Sequence, residues 1–152
     1  MKRSDLGLLA LRLVAGSILA THGLPKLRGG EGRTAPAWLS RLLGPNYQSA
    51  WERSGPANFG KGLANMGVPM PELAARASGL AELGGGLGLI AGAATPVAGL
   101  VAAANMAVAV RQAHWKQGFY GQGGYEFPLL LGVAALALAL TGPGRLSVDR
   151  WR

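Results

Sequence analysis

Residues Glu72–Gly92 form a segment of helix length that is almost entirely apolar or glycine and that encloses one acid, Glu82. A carboxylate near the middle of a membrane-length helix is unfavourable unless it is protonated, paired or hydrated. Glu82 therefore predicts either a functional polar site or a structural ion pair inside a helical assembly. Gly84, Gly88 and Gly92 recur every fourth residue and predict one small-residue face on which a neighbouring helix approaches closely.

The composition of the whole chain favours a membrane protein. Of its 152 residues, 49% are hydrophobic, only 14% are charged and 25 are glycine. Transmembrane helices contain more glycine than soluble helices, in which each glycine costs about 1 kcal/mol relative to alanine. We therefore predict an all-α fold, an integral membrane bundle of four transmembrane helices, with a soluble helical bundle as the alternative.

Four apolar segments define the transmembrane helices of this predicted single domain, since about 20 apolar residues cross a bilayer. The first follows Lys2 and Arg3 and has no small-residue cleavage site, so we interpret it as a retained helix and not as a signal peptide. An inserted loop, residues 25–72, is expected to contain a short helix at Trp38–Leu43 and an amphipathic turn at Asn58–Met66. The predicted spans are residues 6–24, 73–93, 97–114 and 126–141.

The charged residues and the absence of cysteine exclude several kinds of function. The formal net charge is +8, but the basic residues flank apolar runs and do not form a stripe with interleaved aromatic residues. This pattern predicts contact with a lipid bilayer and argues against nucleic-acid binding. Because the chain has no cysteine, its own side chains cannot exchange disulfides or ligate an iron–sulfur cluster.

Three polar residues are expected to form a buried layer within the bundle. A helical rise of about 1.5 Å per residue places Arg12 about 9 Å, Asn105 about 14 Å and Glu82 about 16 Å from the side that holds both termini. We expect Arg12 to pair with Glu82, because an unpaired charge at that depth is unfavourable. The alternative is that this layer serves only helix packing and assembly.

A second predicted cluster lies towards the far end of the bundle and consists of His22, Lys26, His114 and Glu126. The same rise places His22 at about 24 Å and His114 at about 27 Å, while Lys26 follows His22 by one helical turn. Together with nearby aromatic residues, these groups suit a small aromatic ligand with a polar head. They are candidates for binding the oxygens of a quinone and for relaying protons, since histidine titrates near neutral pH. No residue is assigned as catalytic.

Other interpretations of this cluster remain open. Each histidine could simply hydrogen-bond a backbone group, and the aromatic residues could form a membrane-interface belt. Two facing histidines would also allow haem b ligation, although the chain carries no other haem signal. A metal bound by His22, His114 and Glu126 has acceptable ligand types but no further support, so no metal site is predicted.

Several motifs follow one another along nearly the whole chain. An arginine in the first apolar segment precedes the motif His22-Gly23-x-x-Lys26, and NMGVPMP and GLAELGGGLGLIAG follow. Asn105-Met106, His114, GYEFP and the tail GPGRLSVDRW complete the series. In this order the motifs resemble the DoxX family of small four-helix bacterial membrane proteins. Residues 30–55 depart from the short form of that pattern and are interpreted as an insertion.

The resemblance implies a multi-pass protein of the bacterial cytoplasmic (inner) membrane. Similar proteins include the membrane subunit of a thiosulfate:quinone oxidoreductase and a membrane component that assembles with superoxide dismutase and a sulfurtransferase. We therefore expect a redox subunit that binds quinone and supports electron transfer or oxidative-stress defence with a partner protein. The alternative is a non-enzymatic scaffold or assembly factor, as in related eukaryotic members, and a third class is a carrier of small anions. A homo-oligomer is compatible with each.

Overall fold

The computed structural model describes residues 2–151, and every regular element within this range is a helix, which confirms the all-α prediction. A π-helical turn (Val110–His114) and a 3₁₀ turn (Trp115–Gln117) extend the sixth α-helix, and a 3₁₀ turn (Val148–Trp151) follows the last one. The α-helices are α1 (Arg3–Arg28), α2 (Ala37–Leu43), α3 (Pro45–Arg53), α4 (Pro56–Asn65), α5 (Pro71–Ala91), α6 (Thr95–Ala109) and α7 (Glu126–Thr141).

Two helical segments of the described chain are long and apolar enough to cross a membrane by length and composition, Arg3–Arg28 and Thr95–Gln117. Helix α7 is apolar but has only 16 residues, fewer than the roughly 20 that span a bilayer without thinning it. Helix α5 has the length but carries Arg76, Glu82 and several glycines. The bundle of four transmembrane helices therefore stays a prediction.

The segment expected to be an inserted loop, residues 25–72, contains three short helices. Helix α2 confirms the short helix predicted at Trp38–Leu43, and α4 includes most of the amphipathic turn predicted at Asn58–Met66. Helices α3 and α4 each begin with a proline after a glycine of positive φ. Proline suits this first helical position because its missing N–H would have no helical partner there.

The described chain divides into two compact units. The first comprises Met1–Ala20 and Ala81–Arg152, and the second comprises Thr21–Leu80. In the first unit, α6 packs along α7, and the two contribute most of a buried apolar core that α1 and α5 complete. The core residues are Ala15, Leu19, Leu89, Ala102, Met106, Leu131, Ala135 and Leu138.

Glycines allow a close backbone approach between α1 and α5 in the first unit. A Cβ atom on Gly86 would lie 2.6 Å from the Gly16 carbonyl oxygen, and one on Gly16 would lie 2.6 Å from the Gly86 carbonyl oxygen. The predicted close approach on the face of Gly84, Gly88 and Gly92 is confirmed at Gly88, where a Cβ would lie 2.8 Å from Ala98 Cβ on α6, but not at Gly84, where a Cβ would have no neighbour within 4 Å. The contact with α1 is made through Gly86, which lies on another side of α5 than Gly84 and Gly88 at 100° per residue.

The second unit has a small core of its own. Ala35, Leu39, Tyr47 and Trp51 are buried together and pack against Leu24. The rings of Tyr47 and Trp51 meet edge to face, with centroids 6.1 Å apart. The helical pair α2 and α3 therefore buries its apolar side within the inserted segment and against the end of α1.

Backbone contacts join the two ends of the inserted segment. Gly30 N–H donates to the Trp51 carbonyl at 3.0 Å, and Gly55 N–H donates to the Pro25 carbonyl at 3.0 Å. A Cβ on Gly55 would lie 2.2 Å from the Gly29 carbonyl oxygen, and the Gly55 φ of +88° also disfavours other residues. We call this contact of Gly29, Gly30, Trp51 and Gly55 the glycine clasp. It closes residues 30–55, the predicted insertion, into a loop whose ends meet.

Candidate functional site

The buried acid Glu82 has a polar partner on the next helix. Glu82 is 3% exposed, and the Asn105 side-chain amide donates to its Oε1 atom at 3.3 Å. This contact joins α5 to α6 within the first unit, as the sequence estimate of similar depth suggested. A functional role of the Glu82–Asn105 pair, in addition to helix packing, stays a prediction.

Arg12 is fully buried, and its guanidinium donates to backbone carbonyls instead of to the expected partner Glu82. Nε donates to Leu89 O at 2.8 Å, Nη2 to Ile90 O at 2.8 Å, and Nη1 to both Pro143 O and Leu146 O at 2.7 Å. We call Arg12 with these four carbonyls the arginine lock. Helix side chains lean towards the N-terminus of their helix, so the guanidinium reaches back along α1 and meets the end of α5.

The chemistry of the arginine lock is that of a helix cap. The last carbonyls of a helix have no partner within it, and a cation is favourable there because of the helix dipole. The tail adds further contacts, since the Asp149 carboxylate accepts from Ala94 N–H at 2.7 Å and Thr95 N–H at 2.9 Å at the start of α6. Asp5 similarly accepts from Arg145 N–H at 3.1 Å. These contacts give the tail motif a structural role.

His114 ends the π-helical turn of the first unit. Its Nδ1 atom lies 2.7 Å from the Gly123 carbonyl oxygen, and because a carbonyl can only accept, Nδ1 carries the proton in this contact. Trp115 stacks on Tyr125 at 5.3 Å, and Phe119 meets Tyr125 edge to face at 5.4 Å. π-helical turns recur at functional sites, and here the turn directs His114 onto the loop that leads to α7.

Glu126 lies at the start of α7, where its Oε1 atom is 3.5 Å from Gly121 N–H. His114 and Glu126 thus belong to the first unit, whereas His22 and Lys26 belong to the second. A joint site of all four stays a prediction. Within residues 2–151, no three His, Asp or Glu side chains gather in a group that could hold a metal ion.

In the second unit, His22 and Lys26 border a cavity of about 360 Å³. Lys26 Nζ lies 3.5 Å from Ser78 Oγ and 4.6 Å from the centroid of the Phe59 ring. These contacts hold the ammonium by a weak hydrogen bond and a cation–π interaction. We call this space the α1–α3 cavity, and its wall consists of Thr21, His22, Pro25, Lys26, Leu43, Asn46, Tyr47, Ala50 and Ser54.

Tyr47 is the most buried aromatic residue in the wall of the α1–α3 cavity, with 9% of its surface exposed. Among residues 2–151, neither its hydroxyl nor the nearby Trp51 Nε1 has a hydrogen-bond partner. Burial raises the pKa of the Tyr47 hydroxyl above its ordinary value, so the group is neutral and can donate at neutral pH.

The sequence prediction included His22 and Lys26 but missed Tyr47, because the inserted segment was not assigned a role. A signal was present in the spacing of Tyr47 and Trp51, which are four residues apart after the helix-starting Pro45. Residues at this spacing share one face of a helix. Two aromatic side chains on one face would have predicted a buried side for α3.

The DoxX family model matches residues 7–115. The matched region holds Arg12, His22, Lys26, Glu82, Asn105 and His114, whereas Glu126 and the tail carbonyls of the arginine lock lie beyond it. No curated protein and no solved structure matches the chain. Since the match covers well over half of the 152 residues, the chain belongs to the DoxX family.

Proposed function

We propose that this DoxX protein is the membrane subunit of a redox system and that it binds a quinone head group in the α1–α3 cavity. The observation that carries the proposal is the position of His22 and Lys26, one helical turn apart on α1, in the wall of that cavity. Family membership and the two helices with the length and apolarity of membrane spans support a location where lipid-soluble quinones are found.

The cavity has the composition that a polar-headed ring requires. Small-molecule sites usually have volumes of roughly 300–1,000 Å³ and apolar walls with a few polar groups, and the α1–α3 cavity of about 360 Å³ combines Leu43, Ala50 and the Tyr47 ring with two basic side chains. Quinones accept hydrogen bonds at their oxygens and take up protons when they are reduced. His22 would donate or accept a proton there, and the Lys26 ammonium would offset negative charge on a ring oxygen.

His114 and Glu126 are proposed as the proton relay of the same reaction. Their contacts with Gly123 and Gly121 fix both groups near the loop before α7. Since the chain has no cysteine, no iron–sulfur centre can be built on its own thiolates. The proposal therefore includes a partner protein that supplies or accepts the electrons, in electron transfer or in oxidative-stress defence.

A test of the proposal uses the full chain extracted with its native lipid. Native mass spectrometry should detect a bound quinone, and menadione should quench tryptophan fluorescence in a saturable manner. His22→Gln and Lys26→Met should each weaken menadione binding about tenfold, because each removes a polar contact to the ring oxygens. Arg41→Gln, an exposed change on α2, is the matched control. The absence of bound quinone together with a non-saturable menadione response would contradict the proposal.

A second candidate function, a non-enzymatic scaffold, is favoured by one feature of α2. Trp38 and Leu42 lie one turn apart on this helix and are 66% and 74% exposed. Neighbouring exposed apolar side chains offer a surface that a partner protein would cover. Under this function, Trp38→Ser with Leu42→Ser would abolish stoichiometric recovery of a partner from native membranes without changing menadione binding.

A further inference from the structure

The buried polar groups of the inserted segment suggest that it contributes to a ligand site. Tyr47 both lines the α1–α3 cavity and carries a buried hydroxyl without a partner among residues 2–151. Trp51 Nε1, in the same small core, has none within that range either. Most buried polar groups in proteins are hydrogen-bonded, and each exception calls for an explanation.

The two groups share a chemical property that narrows the choice of ligand. The indole N–H can only donate, and the neutral tyrosine hydroxyl donates readily. Of the two residues, only Tyr47 lines the α1–α3 cavity, and a cavity beside such a donor favours a ligand with acceptor atoms over one that offers only donors. The apolar part of the wall, which includes Leu43 and Ala50, favours a flat apolar body behind the acceptor.

We infer that Tyr47 is a binding residue supplied by the insertion, and that its hydroxyl donates a hydrogen bond to a ring carbonyl of a ligand in the α1–α3 cavity. The inference takes the α1–α3 cavity as the ligand site from the proposed function. The ligand class is wider, since a ring ketone that cannot be reduced reversibly would serve equally as the acceptor.

The geometry of the insertion supports this role. The glycine clasp joins the two ends of residues 30–55, and the core of Ala35, Leu39, Tyr47 and Trp51 fixes α2 against α3. Tyr47 is therefore positioned by a closed segment with its own core. Binding residues held in this way lose little conformational entropy when the ligand arrives.

The experiment measures binding and stability in the same set of full-length variants. Menadione and chromone both carry a ring carbonyl, whereas naphthalene has a similar ring system without an acceptor. Tyr47→Phe should weaken menadione and chromone binding about fivefold, the loss expected for one neutral hydrogen bond, and should leave naphthalene binding unchanged. Tyr120→Phe is the matched control, because Tyr120 is 85% exposed.

The thermal midpoint of the ligand-free protein provides the second measurement. Removal of an unpartnered buried hydroxyl should keep the midpoint of Tyr47→Phe equal to that of the parent or raise it. A hydroxyl satisfied by a trapped water, or one needed only for packing, would lower the midpoint, and that result would overturn the inference. Unchanged affinity for both carbonyl probes in Tyr47→Phe would overturn it as well.

The outcomes separate this inference from the proposed function. Chromone binding that responds to Tyr47→Phe, without menadione binding, supports the inference and contradicts quinone as the ligand. Menadione binding that responds to His22→Gln but not to Tyr47→Phe supports the proposed function and overturns the inference. If neither carbonyl probe binds, both are overturned.

Discussion

The arginine lock and the inserted segment differ in whether their buried polar groups have hydrogen-bond partners. In the lock, the Arg12 guanidinium makes four hydrogen bonds of 2.7–2.8 Å to backbone carbonyls. In the inserted segment, the buried Tyr47 hydroxyl, Trp51 Nε1 and Ser40 Oγ have no partner within residues 2–151. The first region stabilises the fold with a charge, whereas the second contains buried polar groups without such partners, one of them on Tyr47 in the wall of a cavity.

This difference separates two reasons for which a protein buries polar groups, namely to stabilise its fold and to bind a ligand. A buried charge whose donors are all directed at helix ends and a tail acts as a cap, so its removal should affect folding. A buried polar group without a partner destabilises the free protein, and sites of this kind are common where a ligand completes the hydrogen bonds. The four predictions below test that separation, beginning with the largest expected effect.

Arg12→Met should be the most destabilising of these changes, by about 3–5 kcal/mol, because it leaves several buried carbonyls without donors. Arg12→Lys should recover only part of the loss, since an ammonium cannot reproduce the planar fork of the guanidinium. Thermal unfolding in lipid or detergent measures both variants against Arg3→Met, an exposed change near the start of α1. Equal thermal midpoints for Arg12→Met and Arg3→Met would show that the arginine lock does not stabilise the fold.

Gly55→Ala should destabilise the protein by about 2–3 kcal/mol, because the new Cβ would meet the Gly29 carbonyl and the residue has a positive φ. Gly62→Ala is the control, since a Cβ there has no neighbour within 4 Å and alanine favours a helix interior by about 1 kcal/mol. Limited proteolysis between residues 30 and 55 should accelerate in Gly55→Ala alone. Similar cleavage in both variants would show that the clasp does not hold the insertion.

Asn105→Ala should destabilise the protein by about 1–2 kcal/mol, because the Glu82 carboxylate loses a donor. The loss should shrink in a Glu82→Gln background, since hydrogen bonds to a charged acceptor are stronger than neutral ones. A double-mutant cycle on thermal unfolding gives the coupling between the two side chains. Coupling near zero would mean that the hydrogen bond between α5 and α6 contributes little to stability, in contrast to those of the lock.

Replacing a buried serine by alanine, once in the tail beside the arginine lock and once in the inserted segment, has the smallest expected effect on stability but gives the most direct comparison. Ser147 is 7% exposed and its Oγ donates to the Gly144 carbonyl at 2.7 Å, so Ser147→Ala should destabilise the protein by about 1 kcal/mol. Ser40→Ala removes a buried oxygen that has no partner within residues 2–151 and should stabilise it by about 0.5 kcal/mol. Chemical denaturation of the two variants measures the difference. Changes of the same sign would contradict the separation of the two regions.

The helical class and the family could be predicted from the sequence because they depend on long apolar periods and on the order of motifs. The contact between Glu82 and Asn105 could also be predicted, since the helical rise per residue converts residue number into depth within the bundle. The hydrogen-bond partners of Arg12 could not be predicted in this way. The estimate of depth uses Cα positions, whereas a long side chain can reach several ångströms along the helix axis.

The packing of the inserted segment could not be predicted from the sequence for a different physical reason. Short helices of seven to ten residues, such as α2, α3 and α4, have little stability alone. They form here because the prolines at their starts, the glycines that follow them and a few buried aromatic contacts stabilise them together. Tyr47 and the α1–α3 cavity depend on that combined packing, which no single motif in residues 30–55 indicates.

The arginine lock also has a consequence for biosynthesis. Two of its acceptors, Pro143 and Leu146, lie 131 and 134 residues beyond Arg12 in the chain. During translation the first helix emerges early, and at a rate of roughly 5–20 residues per second the carbonyls of Pro143 and Leu146 follow Arg12 only after roughly 7–26 seconds. Until then Arg12 lacks two of the four acceptors that it has in the folded protein, so the complete arginine lock forms only after Leu146 has been synthesised.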